Sequence, residues 1–127
     1  MAYLLIVDDD IDGAAAMAAR LRKDGHDAHF VASVPAAMTR LRQRRPDLLL
    51  LDIGMPDFDG LEMLRALHAD PRYEDLRVVA VSGSTDAQVR ATSLRLGALD
   101  FIPKNLGWSD ILARINEHVA EDDRPAA

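Results

Sequence analysis

At 127 residues the chain is sized for one domain with a single good core. A net charge of −6 works against a nucleic-acid surface, which needs clustered Lys and Arg, and the lack of cysteine excludes a disulfide scaffold, a zinc-thiolate site and thiol catalysis. Neither a charged-then-apolar signal nor an apolar run long enough to span a bilayer occurs, so a soluble cytoplasmic protein is expected.

The first element, Tyr3-Leu4-Leu5-Ile6-Val7, reads as a buried strand that runs straight into Asp8, Asp9 and Asp10. Ala14, Met17, Ala18 and Leu21 then mark one face of a helix, with Asp10 or Asp12 expected as its N-cap and Gly25 placed to end it. His29-Phe30-Val31-Ala32 is a short strand. Ser33 caps a second helix whose Val34, Ala37, Met38 and Leu41 repeat the same stripe until Pro46 forbids continuation. Arg40, Arg42, Arg44 and Arg45 fall at that helix end, where cations favour the dipole, and read as a solvated face.

Leu48-Leu49-Leu50-Leu51 is too short for an independent helix and fits a strand covered on both faces; Asp52 stands where it surfaces. Asp59, with Glu62 three residues on, makes an Asp version of the capping box for a third helix carrying Leu61, Leu64 and Leu67. Arg77 to Val81 is the fourth strand, ending at Ser82. The fourth helix, roughly Asp86 to Leu96, has a weak apolar stripe interrupted by Thr92 and Ser93. Leu99 to Ile102 is the fifth strand, Pro103 is expected to mark where its pairing stops, and Trp108, Ile111, Leu112, Ile115 and Val119 pattern the last helix.

Five alternations of strand and helix imply an α/β fold: a five-stranded parallel sheet with right-handed crossovers, in a flavodoxin-like (βα)5 three-layer sandwich. A strand order of 2-1-3-4-5 sets the first and third strands side by side, bringing Asp8 and Asp9 beside Asp52 at the strand C-termini where ligands of open sheets bind. Carboxylates within about 5 Å raise one another's pKa unless a cation sits among them. A hard divalent ion such as Mg²⁺ is the natural guest, held by carboxylates, waters and phosphate oxygens. The acidic loop excludes a bare phosphate, and no glycine-rich phosphate loop follows any strand. On the same edge Ser82 offers a hydroxyl to a phosphoryl oxygen. Lys104, which with Lys23 makes up two lysines against thirteen arginines, offers a flexible point charge.

At this point the chain resembles the receiver domain of two-component response regulators, over residues 1–120, with 121–127 as a polar tail. The resemblance is carried by Asp8-Asp9, by Asp52-Ile53-Gly54-Met55-Pro56-Asp57-Phe58-Asp59-Gly60, by Ser82-Gly83 and by Asp100-Phe101-Ile102-Pro103-Lys104. Ser82 follows Asp52 by 30 residues and Lys104 follows Ser82 by 22. The family pattern implies Asp52 as phosphoacceptor, with Asp8, Asp9, Asp52 and the Gly54 carbonyl as ligands of Mg²⁺. It also implies that Lys104 pairs with the phosphoryl group, that Ser82 closes onto it, and that Phe101 turns inward as Ser82 moves.

The implied donor is a phosphohistidine on a sensor histidine kinase or histidine phosphotransfer protein. The implied readout is a protein partner on the surface of the fourth helix, fifth strand and fifth helix, with neither nucleic acid nor membrane bound. Such a domain catalyses only its own phosphorylation and dephosphorylation and is no enzyme in the ordinary sense. His26, His29, His68 and His118 belong to no recognisable phosphotransfer helix and read as surface or helix-end residues. Two alternatives stay open. A haloacid-dehalogenase-like phosphohydrolase would need a second Asp two residues after the first, where this chain has Gly54. A degenerate receiver, acting as a phosphorylation-independent interaction module, would not need the intact acids, Ser82 and Lys104. One position departs from the family: Asn105 follows Lys104 where proline is usual. A cis bond there would cost about 2.5 to 4 kcal/mol against about 0.5 to 1 for a prolyl bond, so a trans bond is expected.

Overall fold

The computed structural model of the chain describes residues 2–53, 59–84 and 86–122. Its elements are β1 (Tyr3–Val7), α1 (Ile11–Lys23), β2 (Asp27–Val31), α2 (Val34–Gln43), β3 (Leu48–Asp52), α3 (Gly60–Ala69), a short 3-10 turn (Pro71–Tyr73), β4 (Val78–Ser82), α4 (Ala87–Arg95), β5 (Phe101–Pro103) and α5 (Trp108–Asp122). All neighbouring strands are parallel and their order is β2-β1-β3-β4-β5, as expected.

The two-residue period of the strands divides the core into two layers. Leu5, Val7, Leu49, Leu51, Val78, Ala80 and Phe101 face α2 and α3, meeting Ala37, Leu41, Met63, Leu64 and Leu67. Leu4, Ile6, Leu48, Leu50, Val79, Val81 and Ile102 face α1 and α5, meeting Ala14, Ala18, Leu21, Ile111 and Ile115. The leucine run is therefore unbroken because successive side chains go to opposite, equally covered faces.

Capping follows the sequence. Asp10, Ser33 and Asp59 each accept a backbone N–H of the first turn of α1, α2 and α3. Gly25 and Gly97 end α1 and α4 with φ of 96°, a left-handed conformation that a side chain would strain. Elsewhere the elements depart from expectation. As an edge strand, β2 is only half-buried, and it starts at Asp27, ahead of its apolar residues. Leu99 bonds through its N–H to the Val78 carbonyl, yet its side chain is 42% exposed and β5 begins only at Phe101. Pairing also runs past Pro103, because the Lys104 N–H donates to the Ser82 carbonyl at 2.8 Å. At the far end α5 continues to Asp122, two residues into the stretch read as a tail.

Two groups read as solvated are anchored. The guanidinium of Arg44 lies 4.1 Å above the Tyr3 ring and that of Arg45 lies 4.5 Å above the Tyr73 ring. Each contact is worth about 0.5 to 1 kcal/mol at an exposed site, so these arginines cover aromatic surface at the bottom of the sheet. His118 is buried on α5, with Nε2 3.1 Å from Asp100 Oδ2. Burial raises the Asp100 carboxyl, but hydrogen bonds from Arg114, His118 and the Phe101 N–H outweigh it and hold the group below the usual range. This network ties α5 to the entrance of β5.

Candidate functional site

Parallel pairing of Val7 with Leu51 brings the residues after β1 beside the end of β3. Asp8 is 6% exposed and Asp52 2%, while Asp9 is half-buried. Asp8 continues the β1–β2 ladder through its N–H to Val31, and its Oδ1 accepts the Asp10 N–H at 2.9 Å, which fixes the carboxylate. One oxygen from each of Asp8, Asp9 and Asp52 lies within 4.8 Å of the others.

Lys104 closes this pocket from β5. Its backbone bond to Ser82 sets the side chain's origin, and Nζ reaches Asp8 Oδ2 at 2.9 Å and Asp52 Oδ1 at 3.2 Å. The Lys104–Asn105 bond is trans, as expected, and the ammonium nonetheless enters the site. Burial and the neighbouring Asp8 charge push the Asp52 carboxyl up to about 7, against the opposing pull of Lys104. For Lys104 burial works downward, and the two carboxylates outweigh it and raise the group above its usual value. The pocket thus favours the protonated form of Asp52 far more than water does.

The donor set suits a hard cation. Asp9 Oδ1 and both oxygens of Asp52 are buried without a well-aligned hydrogen bond among the described residues. Buried carboxylate oxygens ordinarily have partners, and all the atoms on offer are oxygens of the kind Mg²⁺ takes. Gly54, expected to add its carbonyl, lies outside the described residues.

Ser82 ends β4 fully buried, and its Oγ accepts the Ser84 N–H at 3.0 Å. Phe101 is 4% exposed and already points inward, packed in the α2–α3 layer with its register neighbour Ala80. Beside it a cleft of about 350 Å³ opens between the β4–α4 segment and β5, lined by Ser84, Asp86, Arg90, Asn105 and Arg114.

Gly60 has a positional role that periodicity does not reveal. A Cβ there would stand 1.9 Å from the Asp52 carbonyl oxygen. The start of α3 thus lies directly on the backbone of β3's last residue, and glycine after the Asp59 cap was the visible signal. Gly60→Ala is expected to lower unfolding stability by about 3 kcal/mol, as forced overpacking does. A urea midpoint equal to wild type would show that this contact is not enforced.

Fold and pocket together define an α/β protein of flavodoxin-like topology with a lysine-bridged acidic cluster at the C-terminal edge of its sheet. Residues 4–116 match the response regulator receiver domain, and the chain belongs to that family, the receiver domains of two-component signalling proteins. The DNA-binding response regulator MtrA of Mycolicibacterium paratuberculosis is 33% identical over 124 residues, covering 97% of this chain and 54% of that protein. The chain spans about half the length of the curated relatives it matches. Among solved structures, the BeF3-activated N-terminal receiver domain of Klebsiella pneumoniae RstA superposes with a TM-score of 0.82 at 29% identity, covering 92% of this chain and 97% of that one. A CheY-like receiver domain protein from Methanospirillum hungatei gives 0.83 at 26% identity, covering 95% of each chain. No described helix is long and apolar enough to cross a membrane.

Proposed function

We propose that the chain is a phosphoacceptor switch in which Asp52 takes a phosphoryl group from a phosphohistidine on a sensor histidine kinase or histidine phosphotransfer protein. The observation that carries this reading is the Asp52 carboxylate itself, buried at a strand end with neither oxygen in a well-aligned hydrogen bond among the described residues and an ammonium ion-paired 3.2 Å away. An Asp52 oxygen attacks phosphorus as the P–N bond to the donor imidazole breaks, leaving an acyl phosphate on Asp52 and neutral imidazole on the donor after a proton is taken up.

Phosphoryl transfer leaves the protein mainly positioning and charge neutralisation. Lys104 supplies a mobile positive charge beside Asp52, and Ser82 would donate its hydroxyl to a phosphoryl oxygen. Asp8, Asp9 and Asp52 would hold Mg²⁺, with Gly54 adding its carbonyl by family resemblance. When bound, the ion neutralises charge on the phosphoryl oxygens. The output would be read by a protein partner on the face of α4, β5 and α5, in the cytoplasm.

Incubation with acetyl phosphate and Mg²⁺, followed by mass analysis of proteolytic peptides, tests this reading. A gain of one phosphoryl group on the peptide containing Asp52 is expected, absent in chelator. Label on Asp8 or Asp9 would reassign the acceptor, and no label at all would leave the interaction-module reading.

A further inference from the structure

The two outer strands of the sheet hold their backbone edges in different states. Along β5 the Asp100 carbonyl and the Lys104 N–H bond inward to β4, so Phe101 and Pro103 turn their backbone groups outward. The Phe101 N–H donates to Asp100 Oδ1 at 2.8 Å, the Phe101 carbonyl accepts from Arg114 Nη2 at 3.2 Å, and the Pro103 carbonyl accepts the Leu106 N–H at 3.3 Å. Proline has no N–H to offer. An incoming strand would thus find every outward group of β5 already engaged.

At the other edge β2 depends on one side chain. The Asp27 N–H and the Val31 carbonyl bond inward, to Ala2 and Asp8, which turns the backbone of Ala28 and Phe30 outward. Among the described residues, the Ala28 carbonyl alone of these groups has a partner: Arg22, in the last turn of α1, donates Nε to it at 2.6 Å. Ala28 is accordingly 0% exposed in the middle of an outer strand, whereas Phe30 is half-buried.

We propose that Arg22 guards the β2 edge, and that the occupant it excludes is the β2 strand of a second copy of this chain. Unpaired edge groups are a template for strand addition, and an identical chain is always present to answer them. A twofold antiparallel pairing centred on His29 would set Ala28 of each copy opposite Phe30 of the other. Each such pair exchanges both of its N–H···O bonds, so each needs an Ala28 carbonyl. The edge is therefore self-complementary, as an isologous interface requires, and joining would make the two sheets continuous. A guanidinium on the Ala28 carbonyl blocks both pairs at once. Swinging it aside loses its hydrogen bond, and leaving it in place would bury an unpaired charge between the strands. Arg22 and β2 lie across β1 from Asp52, so this role is independent of the phosphoacceptor reading.

The test follows sedimentation velocity and amide hydrogen exchange of the whole chain over a wide concentration range. Arg22 is exposed and alanine is the best helix former, so Arg22→Ala removes the guard while α1 keeps its helix. This variant should associate at concentrations at least tenfold lower than wild type. The Phe30 amide, unpaired in the single chain, should then exchange at least tenfold more slowly as concentration rises, while in wild type its exchange stays independent of concentration. Arg22→Lys, which keeps a donor and a charge, should sediment as wild type does. Unchanged sedimentation of Arg22→Ala overturns the proposal. So does association that leaves the Phe30 amide unprotected, which would place the contact on another face, and so does concentration-dependent protection of Phe30 in wild type.

Discussion

Asp52→Asn is expected to abolish labelling by acetyl phosphate and, in chelator, to make the protein more stable. The first effect follows because the amide nitrogen cannot replace the attacking carboxylate oxygen, and the near-isosteric swap leaves the strand end in place. The second follows from the carboxyl's position at about 7 in the folded chain, against 3.8 ordinarily. The folded protein binds this proton more tightly than the unfolded chain does. Stability linked to Asp52 is therefore fully present below about pH 4, is drawn down as pH rises, and is gone above about 7. The difference is worth at most about 4 kcal/mol. Screening at the open edge of the sheet brings it to about 2 kcal/mol. The neutral amide mimics the protonated acid at every pH, so the variant should melt several degrees above wild type at pH 8 and alongside it at pH 4. Persistent labelling of the variant would remove Asp52 from its role, and equal melting at pH 8 would show that the buried charge is already compensated.

The elements most visible in the sequence are those whose signals are local and redundant. The leucine run of β3, bounded by Pro46 and Asp52, could hardly be anything else, and it fixed the sheet centre and the acid pocket together. The caps at Asp10, Ser33 and Asp59 were equally plain, because a short acceptor before an apolar stripe satisfies N–H groups that the helix cannot. Less visible were features set by partners distant in sequence. Arg44 and Arg45 carry the same signature as any solvated basic run, and only the fold shows Tyr3 and Tyr73 beneath them. The short 3-10 turn at Pro71–Tyr73 is too brief for periodicity to register. That Lys104 would lie nearer Asp8 than Asp52 depends on side-chain reach across two strands, which spacing alone does not give. His118 reads as a helix-end residue until β5 places Asp100 against it.

Mg²⁺ should stabilise the wild-type chain, and the response should depend on Asp9. A ligand present at a hundred times its Kd adds about 2.7 kcal/mol to the folded state, several degrees in a melt. Asp9 is the sensitive position because its Oδ1 is buried without a donor among the described residues, leaving it available to a cation. Asp9→Ala should therefore melt at the same temperature in Mg²⁺ and in chelator, yet in chelator be no less stable than wild type, since a charge has left a crowded acidic pocket. A second readout comes from Asp52. Burial and Asp8 push its carboxyl up to about 7, so a cation that requires the ionised form competes with a proton there. Calorimetry in buffers of different ionisation enthalpy should accordingly show proton release on Mg²⁺ binding at pH 7, diminishing at pH 9 and absent in Asp52→Asn. Wild-type melting that ignores Mg²⁺ would mean that the three acids are not the ion's seat and that Lys104 alone neutralises them, whereas Mg²⁺ binding that releases no proton at pH 7 would mean that Asp52 is already ionised there.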